Sequence, residues 1–286
     1  MKMAITMADY KGTVKADWCP GCGNYAQLTA IPMALSQLGI SPENAVIVSG
    51  IGCSSNMPEY MRAYGFHGIH GRSLPAAQAI KWANRDLTVV AYGGDGDGFN
   101  EGTQHFYHCA RRNSDITYIV SDNQIFGLTT GQASPTSRIG MKTKTTPDGS
   151  IEPPINPLSM ALSAGATFVA REFSGDVRHM QETIKKGIQH KGFAFIDVFS
   201  PCVTYNKDNT YDFFRERVYR LEEEKHDTSD LISAFRKAEE WGDRIPTGIL
   251  YQREAPTISD MDPTLKENLI KSPIKKLVPE DIEEFL

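Results

Sequence analysis

Long apolar runs and an excess of basic residues are both missing from this chain of 286 residues. No apolar stretch approaches the about 18 residues needed to span a bilayer, and residues 1–10 lack the charged-then-apolar layout of a secretory signal. The formal net charge of −5 argues against broad contact with nucleic acid, because such contact usually needs a basic surface. We therefore expect a cytoplasmic protein that binds neither membranes nor nucleic acid.

Cysteine is also scarce, with five residues in the chain. In the absence of an export signal, these thiols are better explained as metal ligands or buried groups than as disulfides. Cys19 and Cys22 form a Cys-x-x-Cys pair, which is half of a thiolate site for a metal or an iron–sulfur cluster. A zinc knuckle or a redox dithiol would use the same pair. Cys109 falls within a predicted helix, where a buried and inert thiol is expected.

The rest of the composition is that of a globular protein, with 40% hydrophobic and 23% charged residues and no internal repeat. Short β-branched runs alternate with segments of helical period, which predicts an α/β fold with a mostly parallel sheet and helices on both faces. We expect a main domain over residues 1–205 and a C-terminal extension over residues 206–286, which has no core of its own and packs on the domain or on a partner subunit. Helices are predicted at 24–38, 73–84, 101–112, 157–164, 176–191 and 230–241, and strands at 45–49, 87–92, 116–121, 167–170, 194–200 and 248–252.

Unusual loops follow the predicted strands, at residues 51–55, 93–100, 122–130 and 201–202. Because the carboxyl ends of parallel strands share one edge of the sheet, these loops are expected to converge on one site. A further loop, residues 132–157, contains five prolines and little periodicity. A loop of this length in a compact domain is usually functional, so we expect it to order over a cofactor or against a partner.

The loop after the second predicted strand is acidic and rich in glycine, with Asp95 inside a Gly-Asp-Gly sequence. Magnesium prefers oxygen ligands and often shares its shell with phosphate oxygens. The Asp95 carboxylate, the Asn123 amide oxygen and the backbone carbonyl of Ile125 would meet that need. Flanking glycines would let the backbone approach a diphosphate, and a helix that begins near Asn100 would offer its positive end. A pair of ordinary Gly/Asp turns is the alternative explanation.

The spacing from this Gly-Asp-Gly sequence to Asn123, with 26 residues between them, resembles the metal–diphosphate motif of thiamine diphosphate enzymes. Five segments in order resemble the β subunit of 2-oxoacid:ferredoxin oxidoreductases, and the resemblance covers roughly residues 15–205. It implies a thiamine diphosphate-binding fold, with Mg²⁺ held by Asp95, Asn123 and Ile125. The segments are Trp18 to Gly23, Ser49 to Ser55, Gly65 to Arg72, Gly93 to Gly98 and Asp122 to Gln132.

The same resemblance implies one [4Fe-4S] cluster, in which Cys53 and Cys202 join Cys19 and Cys22 as ligands. His70 is implied as a catalytic residue, because it and His67 are candidates to bind a diphosphate or a substrate carboxylate. Arg72 is a candidate for the same role. The implied cofactor-binding residues are Ile51, Gly52, Cys53, Ser54, Gly68, Ile69, His70, Gly71, Gly96, Asp97, Gly127, Leu128 and Thr129.

The activity implied is CoA-dependent oxidative decarboxylation of a 2-oxoacid, or its reversal, with electrons passed singly through the cluster to ferredoxin. The first motif is most similar to members that act on 2-oxoglutarate, although pyruvate and branched-chain oxoacids stay open. Family members often carry a basic residue at the position of Asn56, so substrate recognition through that position is in doubt.

Activation of thiamine diphosphate requires a glutamate, and the nearest candidates by sequence, Glu59 and Glu101, have the setting of helix-surface residues. In the family an α subunit supplies this glutamate, so we expect a dimer of heterodimers in which this chain alone is inactive. Two alternatives remain: a non-redox thiamine diphosphate decarboxylase subunit with structural cysteines, and a zinc-bound interaction module that is not an enzyme.

Overall fold

The protein is described by a computed structural model that covers residues 4–265, 268–271 and 283. An eight-stranded sheet forms its centre, with strand order β2-β1-β3-β4-β6-β5-β8-β7. The strands are β1 Ala45–Ser49, β2 Tyr64–His67, β3 Thr88–Gly94, β4 Ile116–Asp122, β5 Phe168–Phe173, β6 Phe193–Phe199, β7 Val218–Arg220 and β8 Ile245–Gln252. The α-helices are α1 Asn24–Gln37, α2 Met57–Tyr60, α3 Ser73–Ala83, α4 Thr103–Arg111, α5 Pro157–Ser163, α6 Val177–Gln189, α7 Tyr211–Arg215, α8 Leu231–Glu239 and α9 Ile258–Met261.

The predicted α/β class is confirmed, because every neighbouring pair of strands is parallel except β5 and β8. Helices cover both faces of the sheet. On one face, residues of α3, α4, α5 and α8 pack against the sheet, and on the other face α1 and α6 do so. The central strands β1, β4, β5 and β6 are buried along their whole length, since both of their faces are covered.

The first helix differs in one detail from the sequence prediction, in which Asn24 caps the helix and Gly39 ends it. Gly39 does end it, with a φ of +68°, and the Ile40 N–H donates to the Leu35 carbonyl at 3.1 Å. Asn24, however, is the first helical residue and not the cap. Its side-chain oxygen accepts a hydrogen bond from the Ser121 hydroxyl at 2.6 Å, so a tertiary contact has replaced the expected local one.

Two details near the carboxyl edge of the sheet differ from the predictions. Residues 64–67 form the short edge strand β2, which was not among the predicted strands; all four residues are exposed, so no buried apolar pattern marks the strand. The helix predicted at residues 101–112 is present as α4, but it begins at Thr103 and follows a π-helical turn, Asp97–Glu101. The positive end expected near Asn100 is therefore not that of a regular α-helix.

The C-terminal extension completes the sheet. Strand β8 pairs antiparallel with β5, and β7 pairs with β8 at the far edge. Phe214 stacks on Phe199 of the main domain at a centroid distance of 4.5 Å, and Ala234 and Ala238 of α8 are buried in the main core. Residues of the extension thus pack against the main sheet, and the division of the chain at residue 205 stays a prediction. Most of the charged C-terminal tail lies outside the described residues.

An ion-paired histidine also joins the extension to the domain. His179 of α6 lies between Glu172 of β5, with 2.9 Å from Nδ1 to Oε2, and Glu222 after β7, with 3.3 Å from Nε2 to Oε2. Burial alone would lower the pKa of His179, but the hydrogen bonds to the two glutamates outweigh it and raise that pKa to about 10.

Within the described part of the chain, no helix is long and apolar enough to cross a membrane.

Candidate active site

The loops after β1, β2, β3 and β4 meet in one cavity at the carboxyl edge of the sheet. This follows from the strand order, which places these four strands side by side. The predicted cofactor-binding residues line the cavity except Gly68, Ile69 and Gly71; the Ile69 side chain is exposed. The lining residues are Ile51, Gly52, Cys53, Ser54, His70, Gly94, Asp95, Gly96, Asp97, Asn123, Ile125, Phe126, Gly127, Leu128 and Thr129.

Asp95 lies at the floor of this cavity and is 1% exposed. Its Oδ1 accepts the backbone N–H of Asn123 at 3.3 Å, and its Oδ2 accepts the hydroxyl of Thr136 at 2.8 Å. Burial raises the pKa of Asp95, and hydrogen bonds from Ser134 and Thr136 oppose that rise. A cation at this carboxylate would favour its ionised form, because an adjacent positive charge offsets the loss of hydration.

Asn123 and Ile125 belong to the loop after β4. They lie beside Asp95, which belongs to the loop after β3. The Asn123 side-chain oxygen accepts the Ile125 N–H at 3.0 Å, and Gln124 between them has a φ of +57°, which is rare outside glycine. The Asn123 carbonyl in turn accepts the Asn206 side-chain N–H at 2.9 Å. A tight turn therefore places Asn123 and Ile125 in the same cavity wall as Asp95.

No preformed group of three or more His, Cys, Asp or Glu side chains suited to a metal ion occurs among the described residues. The proposed magnesium ligands contain a single side chain of these types, Asp95, because an amide and a backbone carbonyl supply the other two oxygens. An oxygen set of this kind suits a hard cation that completes its shell with phosphate oxygens and water.

Asp97 also lines the cavity, but its observed hydrogen bonds go to the protein. Its Oδ1 accepts the backbone N–H groups of Ile51 and Gly71, both at 2.9 Å, and so ties together the loops after β1, β2 and β3. A Cβ atom on Gly50 would lie 2.0 Å from Asp97 Oδ2, which explains why a glycine occupies that position. Asp97 is predicted to contact the cofactor. Its hydrogen bonds show that it also positions the three loops.

His70 extends from the loop after β2 into the cavity. Its Nδ1 lies 3.4 Å from Asp97 Oδ1 and 3.8 Å from Glu101 Oε2, which places two acidic groups on one side of the ring. Neither carboxylate forms a hydrogen bond with Nδ1 at these distances, and the ring borders the cavity, where it could contact a ligand. His67 instead lies 3.4 Å from Glu59, and neither residue lines the cavity.

Arg72 does not reach the cavity either. Its Nη1 donates to the backbone carbonyl of Glu101 at 2.9 Å, so this guanidinium holds the loop to the π-helical turn. No glutamate is found among the described residues that line the cavity. Asn56 is likewise absent from the lining.

Three loops place Cys19, Cys22, Cys53 and Cys202 near one another, although these thiols do not form a ready-made metal site among the described residues. The Gly23 N–H donates to the Pro201 carbonyl at 3.3 Å, and the Trp18 indole N–H donates to the Cys53 carbonyl at 2.6 Å. The sulfurs of Cys53 and Cys202 each lie 3.7 Å from the point that a Cβ atom on Gly127 would occupy. Cys53 itself lines the cavity, and Cys202 lies next to Gly127, which also lines it.

Electrostatic interactions among the cysteines also affect the pKa values of Cys22 and Cys53. Burial raises the pKa of Cys22 to about 12, and nearby Cys202, Cys53 and Cys19 add to the rise. Burial raises the pKa of Cys53 to about 11, again with added effects of Cys202 and Cys19. Binding of a metal or cluster would therefore displace protons from these sulfurs. Cys109 is fully buried in α4, as predicted.

Residues 132–157, the loop expected to order over a cofactor or against a partner, contact the site through a turn whose residues the sequence did not single out. A buried turn at residues 134–137 lies behind the cavity, where Thr136 Oγ1 also lies 2.9 Å from Asp122 Oδ1. Behind Thr136 is a larger cavity of about 320 Å³, lined by residues that include Arg171, Asp197 and Trp241. We place the chemistry in the smaller cavity, because only there do the loops at the ends of β1 to β4 converge.

Comparison with known proteins identifies the class to which the fold belongs. Residues 50–198 match the C-terminal, thiamine pyrophosphate-binding domain of thiamine pyrophosphate enzymes, and residues 202–267 match the C-terminal part of the pyruvate ferredoxin oxidoreductase β subunit. The fold and the cavity thus define the class as that of thiamine diphosphate enzymes, and the matched range contains Asp95 and Asn123. The similarity to individual proteins narrows this class further.

The chain is 48% identical to the 2-oxoacid:ferredoxin oxidoreductase subunit β from Saccharolobus solfataricus over 83% of this chain and 82% of that protein. It is 43% identical to the 2-oxoglutarate oxidoreductase subunit KorB from Mycobacterium tuberculosis, over 73% of this chain and 56% of that protein. This chain belongs to the family of 2-oxoacid:ferredoxin oxidoreductase β subunits. It is therefore a subunit of an oxidoreductase.

A solved structure extends the similarity across the whole chain. The 2-oxoglutarate:ferredoxin oxidoreductase from Magnetococcus marinus, with 2-oxoglutarate, coenzyme A and succinyl-CoA bound, aligns with a TM-score of 0.90 and 43% identity. The alignment covers 99% of this chain and 96% of that one, including the strands of the C-terminal extension.

Proposed function

We propose that this chain, together with an α subunit, catalyses the CoA-dependent oxidative decarboxylation of 2-oxoglutarate, or the reverse carboxylation, with ferredoxin as the electron partner. The observation that carries the proposal is the position of Cys53. It lies both in the wall of the cavity that contains Asp95 and in the group of four thiols. A diphosphate cofactor and an electron carrier would then be neighbours, as one-electron oxidation requires.

The residues present fit Mg²⁺ and thiamine diphosphate. Asp95, Asn123 and the Ile125 carbonyl would hold the metal, and the glycines of the β3 loop leave room for phosphate oxygens. When bound, thiamine diphosphate supplies the carbanion that attacks a 2-oxoacid. The chain's own residues orient this cofactor: Asp97 fixes the surrounding loops, and His70 presents its ring to the cavity.

The four cysteines fit a [4Fe-4S] cluster, which takes four thiolates. The raised pKa values of Cys22 and Cys53 mean that the cluster must replace bound protons there, and the Trp18 indole N–H donates to the Cys53 backbone carbonyl. A zinc site is the competing occupant. Anaerobically purified αβ complex should show a broad visible absorbance that dithionite bleaches. Colourless, zinc-loaded protein would contradict the cluster and favour the non-redox alternatives.

The α subunit should complete the site, because no glutamate is found among the described residues that line the cavity. We infer a dimer of heterodimers in which the partner supplies the glutamate that activates the cofactor. Coexpression with the α subunit, followed by a CoA-dependent assay with several 2-oxoacids, tests activity and substrate together. We expect 2-oxoglutarate to have the highest kcat/KM, with pyruvate and branched-chain oxoacids below it. Full activity of this chain alone would refute the shared site.

A further inference from the structure

Residues 134–137 form a buried turn that belongs to the long proline-containing loop. The Ser134 N–H donates to the Ser137 hydroxyl at 2.8 Å, and the Ser137 N–H donates back to the Ser134 carbonyl at 3.0 Å. The Ser137 hydroxyl also donates to the backbone carbonyl of Gln124 at 2.6 Å. These bonds fix the turn to the loop after β4, which carries the proposed magnesium ligands Asn123 and Ile125.

Thr136 stands at the tip of this turn and is 4% exposed. Its hydroxyl lies 2.8 Å from Asp95 Oδ2 and 2.9 Å from Asp122 Oδ1. A threonine hydroxyl has a single proton, so it donates to one carboxylate at a time. The other oxygen of Asp95 accepts the Asn123 N–H, and the two bonds together restrict rotation of the carboxylate.

We propose that Thr136 is a positioning residue for the metal, which holds the Asp95 carboxylate in the orientation that binds Mg²⁺. The inference rests on the proposed function, because it requires that Asp95 is a magnesium ligand. It also gives residues 132–157 a role at the cofactor, because the turn at 134–137 places the Thr136 hydroxyl against the Asp95 carboxylate. Groups that hydrogen-bond a metal ligand commonly change metal affinity about 10- to 100-fold when they are removed.

The test compares Thr136→Val, which removes the hydroxyl at nearly constant volume, with Thr136→Ser, which keeps it. Thr145→Val is the matched control, since Thr145 is an exposed threonine of the same loop. Each αβ complex is stripped of cofactor, and thiamine diphosphate binding is then measured by calorimetry at increasing Mg²⁺ concentrations. The melting temperature of each stripped complex is measured in parallel. If valine prevents folding, Thr136→Ala removes the same hydroxyl without added bulk.

We expect the Mg²⁺ concentration for half-saturation to rise about 10- to 100-fold in Thr136→Val, with full binding at excess Mg²⁺. The half-saturating Mg²⁺ concentrations of Thr136→Ser and Thr145→Val should remain close to that of the wild type. All stripped complexes should have the same melting temperature. Wild-type Mg²⁺ dependence in Thr136→Val would overturn the inference, as would a loss explained by a lower melting temperature. Absence of Mg²⁺-dependent binding in the wild type would instead overturn the proposed function, and the inference with it.

Discussion

Substitution of Gly96 by alanine should disturb the cofactor cavity through a single side chain. Gly96 has a φ of −61°, so alanine is compatible with the backbone. Its Cβ atom, however, would lie 2.3 Å from Cε1 of the Phe126 ring and 2.7 Å from two more ring carbons. Because carbon atoms normally stay about 3.5 Å apart, the ring or the loop must move by about 1 Å or more.

Either movement would change the shape of the cavity, since Gly96 and Phe126 both line it and Phe126 follows Ile125 directly. Overpacking of this kind costs about 1–3 kcal/mol in stability. A displacement of about 1 Å near reacting groups can lower the rate about 100-fold. We therefore expect Gly96→Ala to reduce kcat/KM by about 100-fold in a complex that still folds.

The assay is CoA-dependent oxidation of 2-oxoglutarate by the αβ complex, run as a double-mutant cycle. Phe126→Ala removes the clashing ring, so the double variant should recover most of the activity that separates Gly96→Ala from the wild type. Thiamine diphosphate titrations of all four proteins show whether the loss lies in binding. Wild-type activity in Gly96→Ala, or a defect that Phe126→Ala leaves unchanged, would refute the reasoning.

Two further predictions concern stability and the cluster. The pKa of His179 is raised from 6.5 to about 10, so its ion pairs stabilise the fold fully below pH 6.5 and lose that effect as the pH rises towards 10. His179→Gln should lower the free energy of unfolding by about 2 kcal/mol at pH 6, and urea titrations at pH 6, 8 and 10 should show the difference shrinking; a constant difference would contradict the ion-pair account. Cys53→Ser should reduce iron well below the about four atoms per chain of a [4Fe-4S] site, whereas Cys109→Ser, the matched control, should not. Equal iron in both variants would remove Cys53 from the ligand set.

The parallel sheet was predictable because its central strands are buried on both faces and read as continuous apolar runs. Asp95 and Asn123 were predictable as neighbours for a related reason: each follows a buried strand, and the two strands are adjacent. Strand β2 was missed because its exposed residues carry neither an apolar run nor an alternating pattern. Its strand pairing comes from β1 and not from its own sequence.

The roles of Thr136 and Asp97 show a second limit. Nothing local marks Thr136 as a partner of Asp95, since 41 positions separate them and an irregular loop brings them together. Asp97 follows the Gly-Asp-Gly sequence proposed to bind magnesium, and its bonds to Ile51 and Gly71 depend on three loops whose shapes the sequence does not reveal. Residues that position a site are therefore harder to find than residues whose side chains carry its chemistry.

The central claim is that a cofactor held by Asp95 delivers electrons to a cluster held by Cys53 and its three partners. The most direct measurement is the visible absorbance of the anaerobic αβ complex, loaded with thiamine diphosphate and Mg²⁺, after addition of 2-oxoglutarate and CoA. The wild type should bleach, whereas Asp95→Ala should bleach only with dithionite. Equal bleaching by 2-oxoglutarate in both proteins, or a wild type that responds to dithionite but to no 2-oxoacid, would contradict the account.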